Sequence, residues 1–115
     1  MTLEQLIYDQ FDFAQCPLEC RTGWMELIYK MCVEIDDLYF YLNRECEMSI
    51  LQCKEKFGSL RIYYNADEYD EVTDIIADII IKYEQLSKST CEICGAEGKL
   101  VKDGYWIKVR CEDCR

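Results

Sequence analysis

The sequence predicts an α+β fold that ends in a four-cysteine module. Two long stretches repeat apolar residues with the period of a helix, and a stretch around Gly58 between them alternates with the period of a strand. Two Cys-x-x-Cys pairs follow near the end of the chain. We therefore expect two main helices and a short N-terminal helix on a two-stranded β-hairpin in residues 1–87, and a metal-binding module in residues 88–115.

The first helix is predicted from a capping-box pattern, in which Thr2 is followed by Gln5 three residues later. Helical spacing of apolar residues carries it to about Phe13. Residues 16–20 hold the one proline of the chain and are expected to be a connector. From Trp24 the helical spacing continues for about five turns and predicts the clearest helix of the chain, ending near Asn43.

The central hairpin is predicted from two short β-prone runs, residues 50–53 and 60–64, on either side of Gly58. Glycine there supplies the backbone freedom that a tight reversal needs. Asn65 and Glu68 then form a second capping pattern, and several acids occupy the expected first turn, where the helix dipole favours negative charge. This helix is expected to end near Leu86.

The cysteine pairs predict a zinc ribbon. Sixteen residues separate the pairs, and Asp103-Gly104 lies between two β-prone runs, which predicts a tight hairpin that brings the pairs together. Gly95 suits the turn that follows the first pair. Four cysteines are the ligand set of a structural Zn²⁺ site and leave no open position for a catalytic one. The predicted zinc ligands are Cys91, Cys94, Cys111 and Cys114.

The other five cysteines admit two interpretations. They could form a second metal site, or they could be small buried hydrophobic residues, which is the more common use of a free cysteine. Nine cysteines, no secretion signal and no long apolar stretch together indicate a protein of the reducing cytoplasm, with no membrane segment. The five residues are Cys16, Cys20, Cys32, Cys46 and Cys53.

The net charge of −10 is concentrated in the predicted helices. Residues 91–115 carry five acids and five bases, whereas residues 66–90 carry seven acids and two bases. An acidic field disfavours direct contact with nucleic acid and favours a partner protein with a basic surface. The alternative is a solvated surface that only keeps the chain soluble. The residues expected to bind the partner are Glu34, Asp37, Asp67, Asp70, Glu71 and Asp74.

Catalysis is not expected from this composition. The chain has no histidine, which removes the commonest general base and the usual nucleophile pairs. The acidic runs at residues 36–37 and 67–71 could hold Mg²⁺, but the second run lies where helix N-terminal acids belong. We therefore predict that the protein is not an enzyme.

Three strings resemble a family of small phage and prophage proteins. They are Cys20-Arg-Thr-Gly-Trp24, Lys54-Glu-Lys-Phe-Gly-Ser-Leu-Arg-Ile-Tyr63 and Ser87-Lys-Ser-Thr-Cys91-Glu-Ile-Cys94-Gly. In that family a GW helix, a KEKFG-x-LR hairpin and a CE-x-CG knuckle occur in this order, over most of residues 20–114. The resemblance implies a phage origin and a zinc site. Small acidic zinc proteins of phages are similar to inhibitors of host defence, among them the anti-CRISPR proteins that act on the type II RNA-guided nuclease.

The leading function hypothesis is accordingly a phage-encoded, non-catalytic inhibitor in the host cytoplasm. Its acidic surface would occupy the basic groove of the RNA-guided nuclease and block DNA loading. The alternative is a zinc-ribbon adaptor for nucleic acid or transcription, with phosphate contacts from Lys99, Lys102, Lys108 and Arg110.

Overall fold

The computed structural model describes residues 1–115 and has the α+β architecture that the sequence predicts. Short 3₁₀ turns at Asp12–Ala14, Thr22–Trp24 and Glu112–Cys114 separate the longer elements. The helices are α1 (Leu3–Gln10), α2 (Met25–Tyr41) and α3 (Glu71–Ser87), and the strands are β1 (Leu18–Glu19), β2 (Met48–Lys56), β3 (Ser59–Ala66), β4 (Lys99–Asp103) and β5 (Trp106–Arg110).

The main sheet has three strands rather than the two predicted. β2 and β3 form the expected antiparallel hairpin, and β1 adds to the free side of β2 in parallel. The residue 16–20 segment is therefore more than a connector: the Cys53 N–H donates to the Pro17 carbonyl oxygen at 3.1 Å. A proline is tolerated here because β1 is an edge strand, where one side of the backbone has no neighbour to bond.

The turn between β2 and β3 consists of Phe57 and Gly58, both with positive φ, 52° and 78° respectively. Two-residue turns of this kind match the twist of the strands, and glycine adopts this conformation without strain. The prediction that Gly58 makes the reversal is confirmed. Phe57 takes the same left-handed conformation with a bulky side chain.

Helix α3 covers the free edge of β3. The Leu60 N–H donates to Ser87 Oγ, and the Ile62 N–H donates to Glu84 Oε2, both at 2.9 Å. Ser87 and Glu84 thus accept hydrogen bonds from β3 N–H groups that could otherwise pair with a further strand. The edge of the sheet is thus closed by the helix that packs on it.

Helix α3 begins later than predicted, and the Asn65–Glu68 cap is wrong. The N-cap is Asp70, whose carboxylate accepts the Val72 and Thr73 N–H groups, while Thr73 Oγ1 accepts the Asp70 N–H. Strand β3 continues through Asn65 to Ala66, so Asn65 has extended backbone instead of opening a helix. The Thr2–Gln5 capping box of α1 is confirmed, although α1 ends at Gln10 and not near Phe13.

Helices α2 and α3 pack antiparallel beside the sheet, with Glu34 opposite Lys82 and Arg44 opposite Asp70. Their apolar faces and the inner face of the sheet form one core around Trp24, and Val109 of β5 belongs to it. The division of the chain at residues 87 and 88 stays a prediction. None of the helices is both long enough and apolar enough to span a membrane.

Strands β4 and β5 form the second hairpin, with Asp103 paired to Trp106. The loop is therefore Gly104-Tyr105, one residue later than the predicted Asp103-Gly104. Gly104 has a φ of 62°, and glycine at the first central position is the arrangement that such a turn favours.

Candidate metal centre

The β4–β5 hairpin brings the four predicted cysteines together at its open end. The sulfur atoms of Cys91, Cys94, Cys111 and Cys114 all lie within 4.8 Å of one another, and the Cys94 and Cys111 sulfurs are 3.5 Å apart. Zinc–sulfur bonds of about 2.3 Å in a tetrahedron place the sulfurs about 3.8 Å apart. The cluster therefore has the dimensions to hold a metal ion.

The first cysteine pair lies in a tight turn that its glycine makes possible. The Gly95 N–H donates to the Cys91 carbonyl oxygen at 2.9 Å, and the φ of Gly95 is 83°. A side chain at Gly95 would also approach the Gly23 carbonyl oxygen. The second pair turns in the 3₁₀ segment Glu112–Cys114, where the Cys114 N–H donates to the Cys111 carbonyl oxygen at 3.2 Å.

The protein environment favours a thiolate at Cys91. Burial alone would raise the pKa of Cys91, but N–H groups of Cys94, Cys111 and Ile93 point at its sulfur and lower the pKa to about 6. The neighbouring sulfurs of Cys111 and Cys94 raise the pKa of Cys114 to about 12. Four adjacent thiolates repel one another, and a bound cation removes that repulsion.

The chemistry available to this donor set is limited. Thiolates select soft metals such as Zn²⁺. An ion bound by all four sulfurs has no open coordination position for water or substrate. The arrangement suits an ion that holds the backbone in place.

A glycine joins the metal centre to the N-terminus of α2. The Gly23 N–H donates to the Glu92 carbonyl oxygen at 2.8 Å, and Trp24 Nε1 donates to the Thr90 carbonyl oxygen at 2.9 Å. Trp24 is fully buried. Gly23-Trp24 and residues 90–92, far apart in sequence, thus form one junction between α2 and the metal centre.

A buried carboxylate completes this junction. Glu92 is only 7 % exposed, its Oε1 accepts from Arg110 at 3.1 Å, and its Oε2 accepts the Arg21 N–H at 3.3 Å. The sequence pattern did not predict this pair, because Glu112 occupies the equivalent position in the second Cys-x-x-Cys pair and is exposed.

The turn between β2 and β3 reaches the same end of the molecule. A Cβ atom at Gly58 would lie 2.7 Å from Leu100 Cδ1 and 2.9 Å from Ile107 Cγ2. All three strings that resemble the phage family therefore meet around the β4–β5 hairpin.

The remaining cysteines and the acidic runs form no second metal group. Apart from the four clustered cysteines, no three cysteine, aspartate or glutamate side chains bring their ligand atoms within the same distance. Cys16, Cys32 and Cys53 are buried, and all nine cysteines are free thiols.

The six acids expected to bind a partner fall into two groups. Glu34 and Asp70 are already engaged within the chain: Glu34 accepts from Lys82 and Tyr83, and Asp70 caps α3 and pairs with Arg44. The other four side chains are exposed. They are Asp37, Asp67, Glu71 and Asp74.

Both engaged acids are held ionised. Burial raises the pKa of Glu34, but hydrogen bonds from Lys82 and Tyr83 bring it below its ordinary value. Backbone hydrogen bonds from Thr73 and Val72, with Arg44 beside them, lower the pKa of Asp70.

Exposed aromatic residues accompany the acids, and the sequence analysis did not identify them. Phe40 is 81 % exposed, Tyr41 86 % and Tyr69 80 %. The first two close α2, and Tyr69 precedes the N-cap of α3, which Arg44 connects to the end of α2. Tyr69 lies outside the periodic face of α3, because the helix starts after it.

Comparison with known proteins finds no family model, curated protein or solved structure that matches the chain. The resemblance to phage proteins therefore remains an expectation from the three strings alone.

Proposed function

We propose that this chain is a non-catalytic inhibitor, encoded by a phage, that binds a host defence protein through the acidic end of its helix pair. The acidic end comprises Asp37, Asp67, Asp70, Glu71 and Asp74 together with Phe40, Tyr41 and Tyr69. The observation that supports this proposal most directly is the combination of exposed aromatic rings with acids of which only Asp70 has a basic partner in the chain.

The acidic end has the two components of a protein-binding surface. Aromatic side chains supply the buried contact area that dominates most interfaces. Carboxylates around them would steer the chain toward a basic groove and discriminate against acidic surfaces. Asp37, Glu71 and Asp74 are exposed and make no ion pair, so they are available to a partner.

The partner that this charge pattern and the phage resemblance favour is the type II RNA-guided nuclease in the host cytoplasm. Its nucleic-acid channel is positively charged. An acidic surface seated there would compete with DNA for the same basic side chains and block DNA loading.

Zinc has a structural role in this proposal. Bound by Cys91, Cys94, Cys111 and Cys114, Zn²⁺ would fix the β4–β5 hairpin against α2 through the Gly23 junction. Reduced thiols, as in a bacterial cytoplasm, are required for that ligand set. The ion would hold the chain in shape and take no part in a reaction.

The proposal is tested with the purified nuclease and its guide RNA. We expect the wild-type chain to prevent DNA loading, and the inhibition to weaken as salt rises, because charge complementarity is screened. The variant Asp37→Lys/Asp67→Lys/Asp74→Lys leaves the α3 cap intact and should lose inhibition at least about tenfold.

The matched control reverses three exposed acids elsewhere, Asp9→Lys, Asp12→Lys and Glu97→Lys, and changes the net charge equally. It should inhibit like the wild type. Equal inhibition by both triple variants would show that the acidic end is not the binding surface. The wild type could fail to inhibit the nuclease and yet bind another basic host protein through the acidic end. That result would contradict the proposed target but support the proposed binding surface.

A further inference from the structure

The basic residues of this acidic chain are concentrated at the end opposite the acidic end. Lys30, Arg44, Lys82 and Arg110 make the ion pairs of the structure. The basic residues without an ion pair lie near the β2–β3 turn, at the end of α3, on the β4–β5 hairpin, before α2 and after the last cysteine. They are Arg21, Lys54, Lys56, Arg61, Lys88, Lys99, Lys102, Lys108 and Arg115.

The strand register places one aromatic and several basic residues on one face of the β4–β5 hairpin. Val109 points into the core, so its neighbours Lys108 and Arg110 take the opposite face, as does Trp106. Lys99 lies across from Arg110 on that face. Asp103 lies across from Trp106 and is the one acid of that face. We call this set, Lys99, Val101, Asp103, Trp106, Lys108 and Arg110, the ribbon face.

Trp106 is the prominent residue of the ribbon face because it is 73 % exposed. A large aromatic side chain exposed to this degree buries only a minor part of its apolar area within the chain. It therefore contributes little to folding, and its ring is free to stack on a planar ligand.

Three clefts border the ribbon face, and one of them places Lys99 and Arg110 beside the acids Glu97 and Glu112. The other two share Lys108 and Arg110. The first of these two, of about 340 Å³, adds Arg21 and Trp106, with Glu55 and Glu92 as its acids. Arg110 neutralises Glu92, so Arg21 and Lys108 remain unpaired. The second, of about 260 Å³, adds Lys102 and Arg115 against one acid, Asp103. These two clefts therefore carry an excess of positive charge.

We propose that the ribbon face binds single-stranded nucleic acid, with a base stacked on Trp106 and phosphates bound by Lys108, Lys99 and the flanking cations. Stacking on an exposed ring and backbone charge contacts are how proteins hold single strands without reading sequence. A duplex offers phosphates but no free base for the indole. An acidic polypeptide would use the charges but would not need the ring.

This surface is independent of the acidic end and goes beyond the inhibitor proposal. The expectation that the chain makes no nucleic-acid contact followed from the overall charge of −10. In the structure that charge is distributed unevenly, and the ribbon face lies away from the acidic helix ends. The acids elsewhere still repel a strand, so we expect weak binding that depends steeply on salt.

The intact zinc-loaded protein provides its own signal for the test. Of its two tryptophans Trp24 is fully buried and Trp106 is exposed, so a stacked base should quench Trp106 alone. The probes are oligothymidylate and oligouridylate of about 12 nucleotides, within the range of known single-strand sites. We expect saturable quenching, and about four phosphate contacts should give a log–log salt slope near −3.

Matched variants separate stacking from charge. By fluorescence anisotropy of a labelled strand, Trp106→Ala and Lys108→Glu should each weaken binding about tenfold or more. Leu51→Ala truncates another exposed apolar side chain and Lys30→Glu reverses another exposed lysine, both away from the ribbon face, and both variants should bind like the wild type. Zinc content and circular dichroism verify that each variant is folded.

Several results would overturn this proposal. Absence of binding at low salt would do so, as would equal loss in Lys108→Glu and Lys30→Glu. Duplex DNA binding as tightly as the single strand would remove the role of stacking. If poly-L-glutamate competes as well as the oligonucleotide and Trp106→Ala has no effect, the ribbon face recognises acidic polypeptides instead.

Discussion

Gly23 and Cys91 lie so close that no side chain fits between them. A Cβ atom at Gly23 would be 2.2 Å from the Cys91 carbonyl oxygen and 2.6 Å from the Glu92 carbonyl. The atoms that this Cβ would meet belong to the backbone, so they cannot rotate away as a side chain can. The approach allows the hydrogen bond from the Gly23 N–H to Glu92 and holds the metal centre against α2.

Replacing Gly23 with alanine should therefore separate the β4–β5 hairpin from the helices. We expect Gly23→Ala to lower the free energy of unfolding by about 3 kcal/mol, at the upper end of ordinary overpacking. Urea denaturation and zinc retention measure the effect. Glu68→Ala, at an exposed loop position, should stay within about 0.5 kcal/mol. An unchanged urea midpoint for Gly23→Ala would contradict this account of the junction.

The buried pair of Glu92 and Arg110 should be strongly coupled. Each single change, Glu92→Leu or Arg110→Leu, leaves one charge buried without its partner and should cost about 3 kcal/mol. The double variant should cost less than the two singles together. A double-mutant cycle measures the coupling energy, which we expect to exceed about 1 kcal/mol.

The exposed pair of Glu26 and Lys30 is the control for that cycle. Its atoms are 3.0 Å apart, close to the 3.1 Å of the buried pair, so distance alone does not distinguish the two. Solvent screening should reduce its coupling to about 0.5 kcal/mol or less. Equal couplings in the two pairs would show that burial of Glu92 contributes nothing.

Metal removal should release the junction as well as the cysteine cluster. We expect one zinc per chain, measured by native mass spectrometry. In a Trp106→Phe background, Trp24 reports the junction because its indole donates to Thr90 beside Cys91. A strong chelator should shift Trp24 emission to the red, and added Zn²⁺ should reverse the shift. Unchanged emission after complete zinc loss would mean that the core does not depend on the metal.

Stability should fall in acid partly through Glu34. Its pKa is lower in the folded chain than in the unfolded one, where the ordinary value is about 4.3. Its contribution is therefore present above that value and is lost as pH falls through the folded pKa. Glu34→Gln should flatten the loss of stability below about pH 5, and urea midpoints at several pH values measure it. The exposed Asp9→Asn, at a residue without an ion pair, serves as the matched control.

Phe57 should be replaceable with a gain in stability. Its φ of 52° is a conformation that a bulky side chain adopts at a cost, and its ring is 70 % exposed. Asparagine followed by glycine is the preferred pair for such a turn. Phe57→Asn should therefore raise the free energy of unfolding by up to about 1 kcal/mol. A loss of stability would indicate that the ring makes a contact that outweighs the backbone strain.

The sequence was most informative where a local pattern has one physical meaning. The helical period, the Thr2–Gln5 box, Gly58 and the four clustered cysteines all depend on neighbours in the chain, and these predictions agree with the structure. The start of α3 was misplaced because Asn65 and Asp70 are both favoured N-cap residues, and the choice between them depends on where β3 ends. Strand β1 was not predicted because it has only two residues, too few to show the alternation of a strand.

The junction itself could not be predicted because it depends on tertiary proximity. Nothing local to Gly23 reveals that residues 91 and 92 will lie against it. The burial of Glu92 follows only when Arg21 and Arg110 are brought to either side. The exposure of Trp106 was likewise hidden, since nothing local to the β4–β5 hairpin shows which of its faces packs on the core.

The separation of charge along the molecule determines the conditions under which its two ends can be studied. At cellular ionic strength the field of an exposed charge fades over about 8 Å, whereas the molecule is 46 Å long. The charges at one end then have almost no electrostatic effect at the other end. In dilute buffer the field extends to about 30 Å, and the acids would oppose any anion approaching the ribbon face. Affinities measured for one end in low salt would therefore include the repulsion or attraction of the other.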